Sequence, residues 1–394
     1  MTAVPADSLA GSISNDPGYR EVIARWESFW SLEDVGRPLW LIPSSPVLSV
    51  GATGRVPWRS LLQDRETQLN AQLGLLQWRQ SVDIGDDFVP HLQAYQGVTV
   101  FASAFGCRVE FFDHTLPWAH PVIGSEDPPE KVYELPVPRV TDGQLGAILE
   151  WGDYFVERTA SRYALAVTDL QGPLDSSYQV WEPTSFMVAM STSPSEVHHL
   201  MRLMTDLIIS FVREQCRRVP EFMPCHYPPV WLPDGRGISV SDDCLAVLSP
   251  DLYRRFALPY LNELSDEFGG VFVHSCGNFL HQLDNLEKVH NLRGLNFGVS
   301  ETPFEAVWER FGGRTAIVTH LGLNKDIRFE AEADYVNHVL SKKTHDRGLC
   351  VLVVPPAARS TAPHGGVSAE AAATGESSLN TFILQMRQLL GRVR

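Results

Sequence analysis

Val271-Phe272-Val273-His274-Ser275-Cys276-Gly277-Asn278 is a short apolar run that breaks into polar residues and a glycine. Two β-branched residues around a phenylalanine suit a strand buried on both faces, as in a parallel sheet covered by helices. Side chains alternate along a strand, so His274 and Cys276 point to one side while Ser275 points to the other. Gly277 supplies the freedom for a sharp exit. The same pattern recurs along the chain. Ala164 to Thr168 ends in Asp169-Leu170-Gln171-Gly172-Pro173, Ile238 to Val240 in Ser241-Asp242-Asp243, and Thr315 to Thr319 in His320-Leu321-Gly322. Leu292 to Phe297 and Leu349 to Val354 are further runs of this kind, Phe222 to His226 is a short strand or its exit, and Leu39 to Ile42 is a candidate first strand.

Helical stretches separate these runs. Pro17 to Leu32, Trp58 to Arg79 and Ile148 to Arg162 read as helices. Ser193-Pro194-Ser195-Glu196 reads as a helix start, with Ser193 as the cap and proline in the first helical position. Val197, Leu200, Met204, Leu207, Ile208 and Phe211 follow at helical spacing. Ser249-Pro250 opens another helix, which Pro259 is expected to kink. Phe382, Ile383, Met386, Leu389 and Leu390 mark a terminal helix, and Ser368 to Ser378 reads as a flexible loop. Strands alternating with helices imply parallel β/α units. No glycine-rich fingerprint follows the first strand, which favours a (β/α)8 TIM barrel over an open doubly wound sheet. One such domain is expected over residues 1–394, with 1–160, the least regular part, forming an N-terminal extension and lid-like loops.

Composition narrows the partners. The 32 Lys and Arg against 47 Asp and Glu leave a net charge of −15. A field of that sign repels nucleic acid and anionic membranes. No apolar run approaches the roughly 20 residues of a membrane span, and Met1 to Ser12 does not read as a secretory signal. The six cysteines show no repeated short spacing, which fits a reducing cytoplasm and free thiols.

An imidazole and a thiol converging from one strand end suit Zn²⁺, which takes nitrogen and sulfur ligands. The alternative is a core histidine beside a buried cysteine. Asp169 and Asp243 stand at exits where a carboxylate can act as acid or base; Asp242 reads equally as a turn residue. Asn278, Asn296, His226 and Arg359 are candidate substrate contacts, the asparagines alternatively stabilising their own loops. Asp86, Asp87, His91, His114 and His120 lie in the irregular part that is expected to form the lid.

The segment Val273 to Asn278, preceded by Leu248-Ser249-Pro250-Asp251-Leu252-Tyr253 and a helix with Pro259-Tyr260, resembles the uroporphyrinogen decarboxylase superfamily. The likeness is greater to its zinc-containing, corrinoid-linked methyltransferases than to the porphyrinogen decarboxylases. It extends over Asp169 to Pro173, Ser241 to Asp243 and Ser360-Thr361-Ala362-Pro363. The resemblance implies that His274 and Cys276 bind zinc, which activates a substrate thiol toward a methyl group on cobalt. In those methyltransferases a second cysteine follows the last strand; here Val354-Pro355-Pro356-Ala357-Ala358 has none. Cys350 lies at that strand's start, ~16 Å from its exit. Candidates for the third ligand are His320, best placed by position, together with His226, Cys225, Asp243 and His364. Pro43-Ser44-Ser45-Pro46 stands where the decarboxylases carry an arginine-rich motif, which argues against a porphyrinogen substrate.

The expected function is metal-dependent group transfer, with a methyl group passing between a corrinoid, carried on a partner protein, and a small thiol-like acceptor. Two alternatives remain open: a decarboxylase or other lyase acting on a small acid, and a non-catalytic tetrapyrrole or corrinoid binder. The family resemblance also implies a homodimer.

Overall fold

The computed structural model describes residues 13, 16–43, 48, 56–322, 329–355 and 376–391. Six strands, β1 (Leu39–Leu41), β7 (Ile238–Ser241), β8 (Val271–His274), β9 (Leu292–Gly298), β10 (Ala316–His320) and β11 (Leu349–Leu352), form one parallel sheet in the order β1-β11-β10-β9-β8-β7. A second parallel sheet runs β2 (His91–Gln93), β5 (Ala164–Ala166), β6 (Phe222–Met223). β3 (Arg108–Glu110) and β4 (Trp118–His120) make an antiparallel pair. Backbone bonds link the sheets: Ser239 N donates to Pro224 O at 2.8 Å, Asp87 N donates to Trp40 O at 2.9 Å, and Gln171 bridges Ser241.

The register of the larger sheet aligns Ser241, His274, Asn296, Val318, Cys350 and Leu39 in one row. That row starts at the last residue of β7 and finishes at the first residue of β1. Each strand is therefore shifted along its neighbour. The shift carries Cys350, fully buried, away from the strand exits although it shares a row with His274.

Burial explains why these runs became strands. Phe272 is fully buried and meets the edge of Trp30 from the helix Pro17–Trp30 at 5.2 Å between ring centroids. Gly294 leaves room for both rings, since a Cβ there would lie 2.8 Å from Phe272 and 3.0 Å from Trp30. The irregular N-terminal part is tied down by charge. Asp87 accepts bonds from Arg25, Arg37 and the Trp40 backbone, while Asp86 accepts from Arg79 and the Ile42 backbone. These two aspartates hold β1 in place.

Three helix expectations change in detail. Trp58 to Arg79 is two helices, Trp58–Gln63 and Arg65–Ser81, because Asp64 leaves helical geometry and its carboxylate caps the second through Thr67 N at 2.6 Å. Ser193 precedes the helix Pro194–Arg218 but makes no side-chain cap bond. The break expected at Pro259 falls at Ala257, between Pro250–Phe256 and Leu258–Phe268. Pro259 then occupies a first turn, where its missing N–H is no loss. No described helix is long and apolar enough to cross a membrane.

Candidate metal centre

The exits of β7 and β8 are adjacent, with Ser241 paired to His274. The chain leaving β7 folds over the end of β8, and Asp243 Oδ1 accepts a bond from Cys276 N at 2.7 Å. This loop is itself pinned from below. Buried Asp175, on the helix Pro173–Val180, accepts from Asp243 N at 2.6 Å and Cys244 N at 3.0 Å. Gly277, at φ +84°, turns the chain away as its sequence position predicted.

His274 Nε2 and Cys276 Sγ lie 3.4 Å apart, and the ligand atoms of Asp243, His274 and Cys276 all fall within 4.8 Å of one another. Zinc bonds of about 2.3 Å to sulfur and 2.0–2.1 Å to nitrogen place two tetrahedral ligand atoms about 3.5 Å apart. The His274–Cys276 spacing therefore fits two zinc ligands, and an Asp243 oxygen lies within 4.8 Å of both to serve as a third.

The imidazole is oriented from behind. Asn296 Nδ2 donates to Val318 O at 2.8 Å, which turns its Oδ1 toward His274 Nδ1 at 2.6 Å. His274 thus donates through Nδ1 and keeps the lone pair of Nε2 facing Cys276. Burial pushes the His274 pKa down, with Asp243 and Asn296 opposing, so the ring is neutral and competent to ligate. Tyr227 meets its edge at 4.7 Å between centroids. Burial, reinforced by Asp243 and Glu301, pushes the Cys276 thiol well above its ordinary range. A divalent cation between these groups would reverse that preference. Asn296→Ala should lower zinc affinity about 10–100-fold, measured by chelator competition. Unchanged affinity would place the metal away from His274.

The triad opens into a cavity of about 280 Å³. Gln93, Tyr95, Asp169 and Gln171 line it from β2 and β5, and Leu48 and Leu116 from the N-terminal part. None of its described lining residues is a lysine or arginine. Burial raises the Asp169 pKa to about 6, against the lowering effect of a 2.5 Å bond from Gln171 Nε2.

The residues expected at the site take distinct places. Asp243 and Asp169 both face the cavity, as do His274 and Cys276. His226 also lines it, but its ring nitrogens engage Ser239 Oγ at 2.8 Å and Ser241 Oγ at 3.0 Å, and burial lowers its pKa to about 3. Asn296 supports His274 from the adjacent strand. His320 lies behind it, its Nδ1 3.4 Å from Asn296 Nδ2 and its ring 6.1 Å from that of His274, outside the Asp243–His274–Cys276 group. Asn278 is exposed and accepts from Leu280 N in its own loop. Cys225 is buried, its thiol donating to Pro228 O. Arg359, His364 and Ser360 to Pro363 lie outside the described residues. Tyr95, Tyr227, Asp175 and Glu301 were not singled out from sequence. Tyr95 follows β2 and Glu301 follows β9, so both sit at strand exits, the one signal that could have found them.

Residues 92–222 match the family model described as uroporphyrinogen decarboxylase (URO-D). No curated protein matches the chain. Among solved structures, a methyltransferase from Methanosarcina mazei is similar at a TM-score of 0.65 and 14% identity, covering 92% of this chain and 98% of its own. The carboxyl transferase domain of Rhizobium etli pyruvate carboxylase with pyruvate and biocytin reaches only 0.38 at 10% identity, covering 91% of this chain and 48% of its own. At such identities the likeness is one of fold. The chain thus resembles the uroporphyrinogen decarboxylase superfamily, matching its family model over residues 92–222 and sharing the fold of a methyltransferase.

Proposed function

We propose that this chain is a metal-dependent group-transfer enzyme on a (β/α)8 TIM barrel, moving a methyl group from a corrinoid to a small thiol-like acceptor. The observation that carries this reading is the convergence of Asp243, His274 and Cys276 in one cavity. The barrel reading is supported by the staggered row from Ser241 to Leu39, since closure requires strands shifted along their neighbours. Residues before 160 that line the cavity, Leu48 and Leu116 among them, support their role as a cover.

Zinc held by Asp243, His274 and Cys276 would supply a Lewis acid that stabilises a thiolate. The protein's own groups do the rest. Asn296 fixes the imidazole, Asp243 holds the Cys276 backbone, and the cavity wall of Tyr95, Tyr178 and Tyr227 excludes water. A methylated corrinoid would supply the methyl group as co-substrate, its cobalt keeping the electron pair of the broken carbon bond. The thiol proton passes to ionised Asp169, which lines the same cavity. The corrinoid is supplied by a partner protein at the cavity mouth.

A lyase reading draws on one observation, the raised pKa of Asp169, which makes it a proton donor for a carbanion left by a small acid. A polycarboxylate is disfavoured by the absence of cationic side chains among the described lining residues.

The test is direct. Zinc-loaded protein is incubated with methylcobalamin and ethanethiol, following loss of the methyl–cobalt absorbance and appearance of ethyl methyl sulfide. Transfer above the protein-free rate supports the proposal. No transfer to any small thiol, with carbon dioxide released from small acids instead, would move the assignment to the lyase.

A further inference from the structure

A second hollow of about 120 Å³ adjoins the metal cavity. The two share Val98, Tyr178 and Gln179, so they meet along that seam. Beyond it the walls are apolar: Pro117, Trp118 and Ala119 from the β4 arm, with Pro121 and Pro183. Thr99 lines it too, but its hydroxyl donates to Gln144 at 3.0 Å. Three prolines make a stiff wall. The arm is seated closely, because Gly97 at φ +92° has no Cβ, which would otherwise lie 2.5 Å from Pro117. Trp118 is 57% exposed at this hollow, a large apolar ring left uncovered among the described residues. At the seam, buried Gln179 Oε1 has no hydrogen-bond donor among the described residues.

We infer that the substrate carries an aryl or branched-alkyl group that seats in this second hollow while its reacting end lies at Asp243, His274 and Cys276. An apolar cavity of roughly 150 Å³ admits a benzene ring, so one open on a side at about 120 Å³ suits a single ring. The site thus selects for a two-part molecule, a thiol-like head and an apolar tail, and against hydrophilic thiols. The inference rests on the metal-and-thiol reading for its head and on the hollow alone for its tail.

The test compares ethanethiol with phenylmethanethiol on cobalt(II)-loaded protein, read by the growth of the sulfur-to-cobalt charge-transfer band above that given by Cys276. Burying one ring should make phenylmethanethiol bind about 10–100-fold tighter. Trp118→Ala, at an exposed position that leaves folding intact, should cut that preference at least about fivefold, and Val98→Phe should abolish it by filling the seam. Equal binding of the two thiols, or a preference that both variants leave intact, overturns the inference without touching the metal reading. If cobalt gives no thiolate band, the metal reading fails, and fluorine NMR of 4-fluorobenzyl alcohol decides the hollow by itself. Line broadening lost in Trp118→Ala upholds the apolar subsite; no broadening in the unaltered protein overturns it.

Discussion

Cys276→Ser is expected to leave a folded protein that no longer retains zinc, where the unaltered protein keeps a stoichiometric ion through dialysis. Serine preserves the backbone N–H that Asp243 holds at 2.7 Å, so the loop geometry survives. What is lost is the sulfur, the strongest zinc donor of the three. A hydroxyl with an ordinary pKa is a poor substitute, and the affinity should fall about 1,000-fold or more, some 4 kcal/mol. Elemental analysis with chelator competition measures it. Asp243→Ala should approach the same loss, while His320→Ala, outside the Asp243–His274–Cys276 group, should be milder. Full zinc retention in Cys276→Ser would sink the thiolate mechanism; loss in His320→Ala equal to that in Cys276→Ser would make His320 the third ligand.

Asp169→Asn should stabilise the metal-free protein, and only at higher pH. Asp169 titrates near 6 when folded and near 3.9 in an unfolded chain. Across that interval the folded state binds the extra proton, so stability falls as pH rises and stays lowered above about pH 6. The neutral amide carries no such penalty. Denaturant midpoints at pH 8 should favour the variant by about 2–3 kcal/mol, and the difference should vanish near pH 4. A difference constant across pH would mean that Asp169 is ionised throughout. For catalysis the expected sign is loss, because the variant's amide has no proton to give or take.

The strands of the larger sheet were legible as short, mostly apolar runs wanting burial on both faces, and His274 with Cys276 followed from simple alternation. The partner of that pair was harder. His320 ranks high by exit position, since it closes β10. The structure instead groups Asp243 with them, because Ser241 pairs with His274 and the next residues after β7 lean over β8. Pairing register is a tertiary property that spacing along one chain does not encode. The first 160 residues, beyond their helices and the strand at Leu39, were less legible for another reason. Their strands are three residues long, too short for periodicity, and their order depends on buried ion pairs such as Asp87 with Arg25 and Arg37. Yet the family match begins at 92, well before the motifs that suggested the family.

The orientation of His274 passes through Asn296 to a backbone carbonyl, that of Val318, rather than to another side chain. Carbonyl oxygens are untouched by point substitution. Position 318 can therefore drift among residues of suitable volume with the histidine still aimed, whereas inserting or deleting a single residue in β9 or β10 slides the carbonyl away and releases it. For the lineage that carries it, such a centre is robust to substitutions in the supporting strand and fragile to frame-preserving indels, so length, more than identity, is what inheritance must guard there.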